Sequence, residues 1–383
     1  MKTEKIVKNI IQNVKKNGDE SLRDYNLRFD NFKATNLKVT KKQILGAYNQ
    51  IDKNFIRSLK IAKRNIEKFN KNILNKKEEA TETSPGVKCW REFRPIEKVG
   101  LYVPGGLANY PSTVLMLGIP ARIAGCKKII ICSSPPIPSS TLVAADILGI
   151  NEIYQVGGAQ AIVAMAYGTK TIPKVDKIFG PGNKFVTEAK IQVSNSVGID
   201  MPAGPSEIAI LADKTANFKF IEADLKSQLE HGPNGKAWLI TTDKKLFNKI
   251  DVKNTKKYLV KNISEGIDLV NKIAPEHIEV IVKNENQVIS KIINAGSVFV
   301  GDYSPVPAGD YATGPNHTLP TSGWAKSYSA LSVEDFGKKI EFQKVSKKGL
   351  ANLKDNIIKL AETEGFKDHA SSIKIRFNKY SND

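Results

Sequence analysis

Over residues 1–77 apolar positions return at spacings of three and four, and Phe55, Leu59, Ala62, Ile66 and Phe69 line up as one stripe under a lysine-rich face. That period predicts helices. From Glu97 the pattern changes to short apolar runs ending in turn residues: KVGLYVPGG, KKIIICSSPP, EIYQVGG and DKIFGPGN. These predict strands, with helices between them at residues 140–148 and 159–167, where Gly149 and Gly168 sit as C-caps. Strands separated by helices specify a parallel sheet with right-handed crossovers. A second series follows, SEIAILAD, AWLITTD, HIEVIV and GSVFVG, with a helix over 218–230. Two α/β domains result. Beyond about Leu331 the chain becomes charged and helical again through VSKKGLANLKDNIIKLAETEGF, which predicts a terminal arm. No internal repeat is visible as identity.

Ligands of parallel sheets collect beyond the carboxyl ends of the strands. Here those ends carry PGG, SPP, GG and GPG, which predicts backbone open to close approach by a ligand. Neither GxGxxG nor GxxxxGK followed by Ser or Thr occurs, so no dinucleotide fingerprint or P-loop can be read from the chain.

Composition narrows the class. At 383 residues, with 41% hydrophobic and 25% charged residues, the chain is an ordinary globular one of more than one core; disorder, collagen and coiled coil fit poorly. No apolar run approaches the length of a membrane span, and charges break up every apolar pair near the start, so neither span nor signal peptide is expected. Three cysteines without CxxC spacing suit a reducing compartment, and the expected location is the cytoplasm. The net charge of +19 raises a nucleic-acid reading. The segment 101–235, however, holds 11 basic and 10 acidic residues, and the surplus is scattered Lys toward the two ends, without Arg forks or interleaved aromatics. Solvated helix faces are the expectation, and no nucleic-acid or membrane partner.

The four histidines all lie in the C-terminal half, in the pairs Glu230-His231, Glu276-His277, Asn316-His317 and Asp368-His369. Asp224, Gln228 and His231 stand at i, i+4 and i+7 and project from one helix face. His231, Asp310 and His369 are chemically suitable zinc ligands; on residue type alone Gln228 reads as a helix-surface amide. The loop from Gly309 to His317 sets an acid and a histidine seven apart between glycines. Glu276 and His277 follow Pro275, and adjacent side chains point different ways, so they can serve two different protons. They precede their strand, against the strand-end rule. Cys126 and Cys132 are conceivable aldehyde-trapping nucleophiles, but Cys132 follows three isoleucines in a buried strand, where an inert core thiol is expected.

The runs VGLYVPGG, STVLML, AGCKK, VGGAQAI, TIPKVDKIFGPGNKFVTEAK, IDMPAGPSEI, DLKSQLEHGP, APEHIEV, NAGS, GDYATGPNHTLPT and EGFKDHA resemble, in the same order, those of the histidinol dehydrogenase family. The likeness extends from GDESLRDYNLRFD to the last histidine. It implies a zinc- and NAD-dependent oxidation of L-histidinol to L-histidine through histidinal, with two NAD, in the last steps of histidine biosynthesis. By resemblance Glu276 and His277 are the catalytic pair; Gln228, His231, Asp310 and His369 hold zinc, one ion per subunit; and Tyr102, Gln160 and Asn183 contact NAD. The implied substrate contacts are Ser206, Gln228, His231, His277, Asp310, His317, Glu364 and His369. The implied assembly is a homodimer with shared active sites, His369 reaching the other subunit's zinc. The implied fold is α/β, two Rossmann-like domains with mostly parallel sheets plus helical N- and C-terminal arms. Its divisions are an arm over 1–20, a first domain over 21–101 and 209–331, a second, NAD-contacting domain over 102–208, and an arm over 332–383. Two other readings are a same-family dehydrogenase of another small alcohol, such as a sulfonated diol, and a basic polyanion-binding protein on this scaffold.

Overall fold

Four helices come first: α1 (Lys2–Asn17), α2 (Asp19–Asp30), α3 (Lys41–Ala47) and α4 (Lys53–Leu74). The computed structural model describes residues 2–74, 78–105, 109–201, 204–230, 232 and 234–377. On α1 the buried side chains Val7, Ile10 and Val14 keep the helical period, and α3 opens on a reciprocal cap between Thr40 and Gln43. On α4 the buried stripe runs Leu59, Ala62, Ile66 and Asn70, while Phe69 is exposed. The predicted stripe is therefore off by one position at its end: steps of three, four and four hold one face, and position 69 turns away from it. Asn70 resolves its burial by donating Nδ2–H to the Ile66 carbonyl at 2.9 Å.

The chain divides into two units, Met1–Leu74 with Pro95–Phe336, and Asn75–Arg94 with Gly337–Asp383. The second contains a three-stranded sheet of β1 (Thr81–Ser84), β2 (Val87–Pro95) and a late strand, Gly337–Val345, in the order first, second, late; β1 and β2 pair antiparallel. The last segment, read as helical, thus opens on a strand whose mostly exposed, polar face hides its period.

The larger unit holds two parallel sheets. The first is built from β3 (Lys98–Val103), α5 (Pro111–Ala124), β4 (Lys128–Ser133), α6 (Ser139–Ile147), β5 (Ile153–Gln155), α7 (Gly158–Tyr167), β6 (Lys177–Phe179), α8 (Lys184–Val193) and β7 (Gly198–Ile199), ordered β5-β4-β3-β6-β7. The second is built from β8 (Glu207–Ala212), α9 (Phe218–Leu229), β9 (Lys236–Thr241), α10 (Lys244–Lys249), β10 (Thr255–Leu259), α11 (Ile263–Ile273), β11 (His277–Ile281), α12 (Glu285–Ile289) and β12 (Ser297–Val300), ordered β10-β9-β8-β11-β12. After it come α13 (Val306–Tyr311) and, in the smaller unit, the late strand as β13 followed by α14 (Lys347–Thr363) and α15 (Lys367–Ile375). The fold is therefore mixed α/β with the same strand order used twice, a repeat that the residues themselves do not spell out. In each sheet the order reverses beside its first strand, β3 or β8, the switch point where such sheets open a crevice.

The first sheet's core joins Val7, Ile10, Val14 and Leu22 of α1 and α2 to Tyr154, Ile162, Val186 and Ala189. At its carboxyl end a buried cation ties the loops together. The Lys190 ammonium pairs with Asp200 and donates to the carbonyls of Gly180 and Met201 at 3.0 Å each. Asp200 also accepts from the Gly180 N–H at 2.7 Å. Removing one member of a buried pair strands the other charge, so Lys190→Met should cost about 3–5 kcal/mol in urea unfolding. An unchanged unfolding midpoint would contradict that role.

Candidate functional site

β11 begins at His277, so the Pro-Glu-His turn delivers its two polar side chains at the amino end of the second sheet, beside β8. There the backbone of Glu207 holds both. Its N–H donates to Glu276 Oε2 at 2.8 Å, and its carbonyl oxygen lies 2.9 Å from His277 Nδ1. A carbonyl only accepts, so Nδ1 carries the proton and Nε2 is the basic nitrogen of the neutral ring. Nε2 in turn lies 3.9 Å from Asp310 Oδ1. The Glu207 side chain is itself held, by Lys236 at 2.8 Å and the Ser322 N–H at 3.0 Å. Burial pushes the Glu276 carboxyl well above its ordinary range, and the charges of Asp310 and Glu207 add to this against the Glu207 N–H.

His277, Phe299, Asp310, Asn316 and His317 line a cavity of about 330 Å³. Asp310, near the end of α13, is pushed up to about 7 by burial alone. His317 Nδ1 faces the Asp310 carbonyl at 3.1 Å, which again fixes the proton on Nδ1 and leaves Nε2 to accept from the Thr113 hydroxyl at 3.3 Å. Asn316 Nδ2 donates to the Met116 carbonyl at 2.7 Å. Thr113 and Met116 belong to α5, so this loop joins the amino end of the second sheet to the helix that leaves the carboxyl end of the first.

At that carboxyl end Tyr102 closes β3 and takes the Gly158 N–H on its hydroxyl at 3.0 Å, with burial pushing the phenol up to about 12. Gln160, 2% exposed, lies in the first turn of α7. Asn183 caps α8, its Oδ1 accepting from Phe185 and Val186 N–H at 2.9 and 3.2 Å, so a further ligand would have to use its amide N–H. The glycines here serve the loops first: a Cβ on Gly180 would stand 2.1 Å from the Tyr102 carbonyl oxygen, and one on Gly157 would overlap Ser134. At these two positions the missing Cβ lets the loops pack against one another.

Gln228 is 2% exposed on α9, not the surface amide its residue type suggests, and α9 packs against α13. Ser206 precedes β8, its carbonyl accepting from Lys236 N–H at 3.0 Å. His231 lies outside the described residues. Glu364 caps α14 and His369, stacked on Phe366 at 5.0 Å, lies on α15; both are exposed and belong to the smaller unit. Among the described residues no group of three or more His, Cys, Asp or Glu gathers as a metal site. The chemistry of the donors still suits a divalent cation: Asp310 is partly buried with no Lys or Arg among the described residues lowering its carboxyl, and a cation would supply a counter-charge. Burial raises the thiols of Cys126, to about 11, and Cys132, which keeps both protonated at neutral pH. Residue reasoning passed over Glu207, Thr113 and Glu279; an acid inside an apolar strand run, as in SEIAILAD and HIEVIV, is the signal that could have found two of them.

The sequence model of histidinol dehydrogenase matches residues 1–259 and 252–377. Histidinol dehydrogenase of Clostridium acetobutylicum is 47% identical, covering 97% of this chain and 92% of its own; that of Methanocaldococcus jannaschii is 45% identical over 97% and 91%. The crystal structure of histidinol dehydrogenase from Elizabethkingia anophelis superposes with a TM-score of 0.94 at 42% identity, covering 97% of this chain and 91% of that one. The chain belongs to the histidinol dehydrogenase family of oxidoreductases.

Proposed function

We propose that this chain oxidises L-histidinol to L-histidine through histidinal with two NAD, as a cytoplasmic homodimeric enzyme of histidine biosynthesis with no nucleic-acid or membrane partner. Among the described residues no helix is long and apolar enough to cross a membrane. The observation that carries the reading is the Glu276–His277 pair, held on one backbone unit at the edge of a cavity that also contains Asp310 and His317. Two groups would be held here: zinc, by Gln228, His231, Asp310 and His369, supplying the positive charge that fixes the substrate's imidazole and amine, and NAD, against Tyr102, Gln160 and Asn183, supplying the hydride acceptor. His277 Nε2 takes the hydroxyl proton in the first oxidation. Glu276, as carboxylate, takes a proton from the water that adds to histidinal. His277 serves once more when the hydrate is oxidised. Ser206, His317 and Glu364 orient the substrate, and His369 reaches the other subunit's zinc.

A sulfonated diol fits less well, because no Lys or Arg is among the described residues lining the cavity to pair with an anion. Polyanion binding is disfavoured by the near-neutral segment 101–235. The purified protein should release two NADH per L-histidinol consumed and lose that activity when a chelator strips its metal. No NADH from histidinol, or full activity in metal-free protein, would overturn the reading or its zinc respectively.

A further inference from the structure

We infer that the Glu207 carboxylate is a positioning brace: it ties the backbone unit on which Glu276 and His277 rest to the turn that ends the loop carrying His317. Glu207 opens β8, a strand buried along its whole length, and is itself only 1% exposed. A carboxylate in that position is costly unless it is paired and hydrogen-bonded. Here Oε1 pairs with the Lys236 ammonium at 2.8 Å, and Oε2 accepts the Ser322 N–H at 3.0 Å.

The Ser322 bond is the one that reaches the site. Thr321 to Trp324 form a turn closed by the Trp324 N–H on the Thr321 carbonyl at 3.0 Å, and its central residues, Ser322 and Gly323, have φ of 56° and 79°. Glycine takes such a conformation freely, whereas serine holds it at a cost and only where its surroundings fix it. Glu207 Oε2 fixes Ser322 through its N–H, and Thr321 Oγ1 beside it accepts the Gly204 N–H at 2.6 Å. Ser206, a proposed substrate contact, lies between Gly204 and Glu207 and so between these two ties. Upstream of the turn, His317 and Leu319 line the cavity. Gly296 alone separates Leu319 from the Glu276 backbone: a Cβ there would stand 2.6 Å from the Glu276 carbonyl oxygen and 3.2 Å from Leu319 Cβ. Glu207 thus fixes the Glu276–His277 pair through its backbone and the segment that places His317 through its side chain. The carboxylate touches no reacting atom and acts through the residues it spaces.

The inference rests on the proposed oxidation for its kinetic readout, and amide hydrogen exchange tests it without activity. Glu207→Gln keeps an oxygen for the Ser322 N–H, while Lys236, whose side chain is 47% exposed, turns to solvent. Glu207→Leu fills the space with neither contact and leaves in place the backbone N–H and carbonyl that hold Glu276 and His277. In peptides spanning residues 318–326 the Ser322 amide should exchange about tenfold faster in the Leu variant and at the parent's rate in the Gln variant. Turnover of L-histidinol should fall by about 10²-fold in the Leu variant, the loss that a displacement near 1 Å brings, and stay within about threefold in the Gln variant. KM for NAD should match the parent's in both, since the loops proposed to hold NAD belong to the other sheet. A merely structural carboxylate would instead lower the thermal midpoint and leave kcat per folded site unchanged. Should the Leu variant not fold, Glu207→Asp, which keeps the charge but withdraws it from Ser322 by one methylene, carries the same expectations. Unchanged exchange at Ser322, a Leu variant with the parent's kcat, or a Gln variant as slow as the Leu variant each overturns the brace. A parent protein inert toward histidinol sinks the proposed function instead, and the exchange rates then decide the brace.

Discussion

His277→Asn is expected to lower turnover of L-histidinol by about 10²- to 10⁴-fold, the range lost with a positioned general base. The asparagine amide still donates to the Glu207 carbonyl that now receives Nδ1, so the backbone tie of 2.9 Å has a replacement. What vanishes is Nε2, the ring nitrogen on the Asp310 side of the site. Both oxidations should slow, because each needs a proton removed from a carbinol oxygen as hydride departs. Metal content should stay at the parent level, since His277 is not among the proposed ligands. Turnover like the parent's would end the assignment of His277 as base, and loss of metal would recast it as a ligand.

Glu276→Gln should divide the reaction in two. The amide oxygen still accepts from the Glu207 N–H, so the local structure survives, and the first oxidation should proceed. Water addition to histidinal loses its base, and oxidation of supplied histidinal should slow by about 10²- to 10⁴-fold. A single-turnover experiment should then release one NADH per site where the parent releases two. The direction with pH also follows. Burial holds the Glu276 carboxyl protonated to unusually high pH, and only the carboxylate can take a proton, so histidinal oxidation should rise as pH climbs through the raised value. The variant should lose that rising limb. Equal slowing of both oxidations, with the limb intact, would remove Glu276 from the hydration step.

The elements were legible wherever burial imposed a simple period. Apolar runs ending in Gly, Pro or Ser turns marked β3, β4, β5 and β6, and the three-four spacing marked α4 apart from Phe69. β10 and β13 escaped because their exposed, lysine-bearing faces carry no buried stripe to read. Gln228 escaped as a buried group because residue type says nothing of what packs on its helix; α9 meets α13, from about eighty residues further on. Asn183 offered two roles, cap and ligand contact, and the capping bonds belong to local backbone geometry that no motif displays.

Local sequence alone determined the alternation of strand and helix, the parallel sheets that follow from it, and the reactive side chains available, because period, turn chemistry and residue type act over a few neighbours. It could not decide the site. Glu207 meets Glu276 and His277 across some seventy residues, and Thr113 meets His317 across 204, since strand order and register, not proximity in the chain, bring them together. The same distinction applies to protonation: a carboxyl's ordinary titration belongs to its chemistry, whereas the raised values of Glu276, Glu279 and Asp310 come from the low-dielectric packing that only the assembled unit provides.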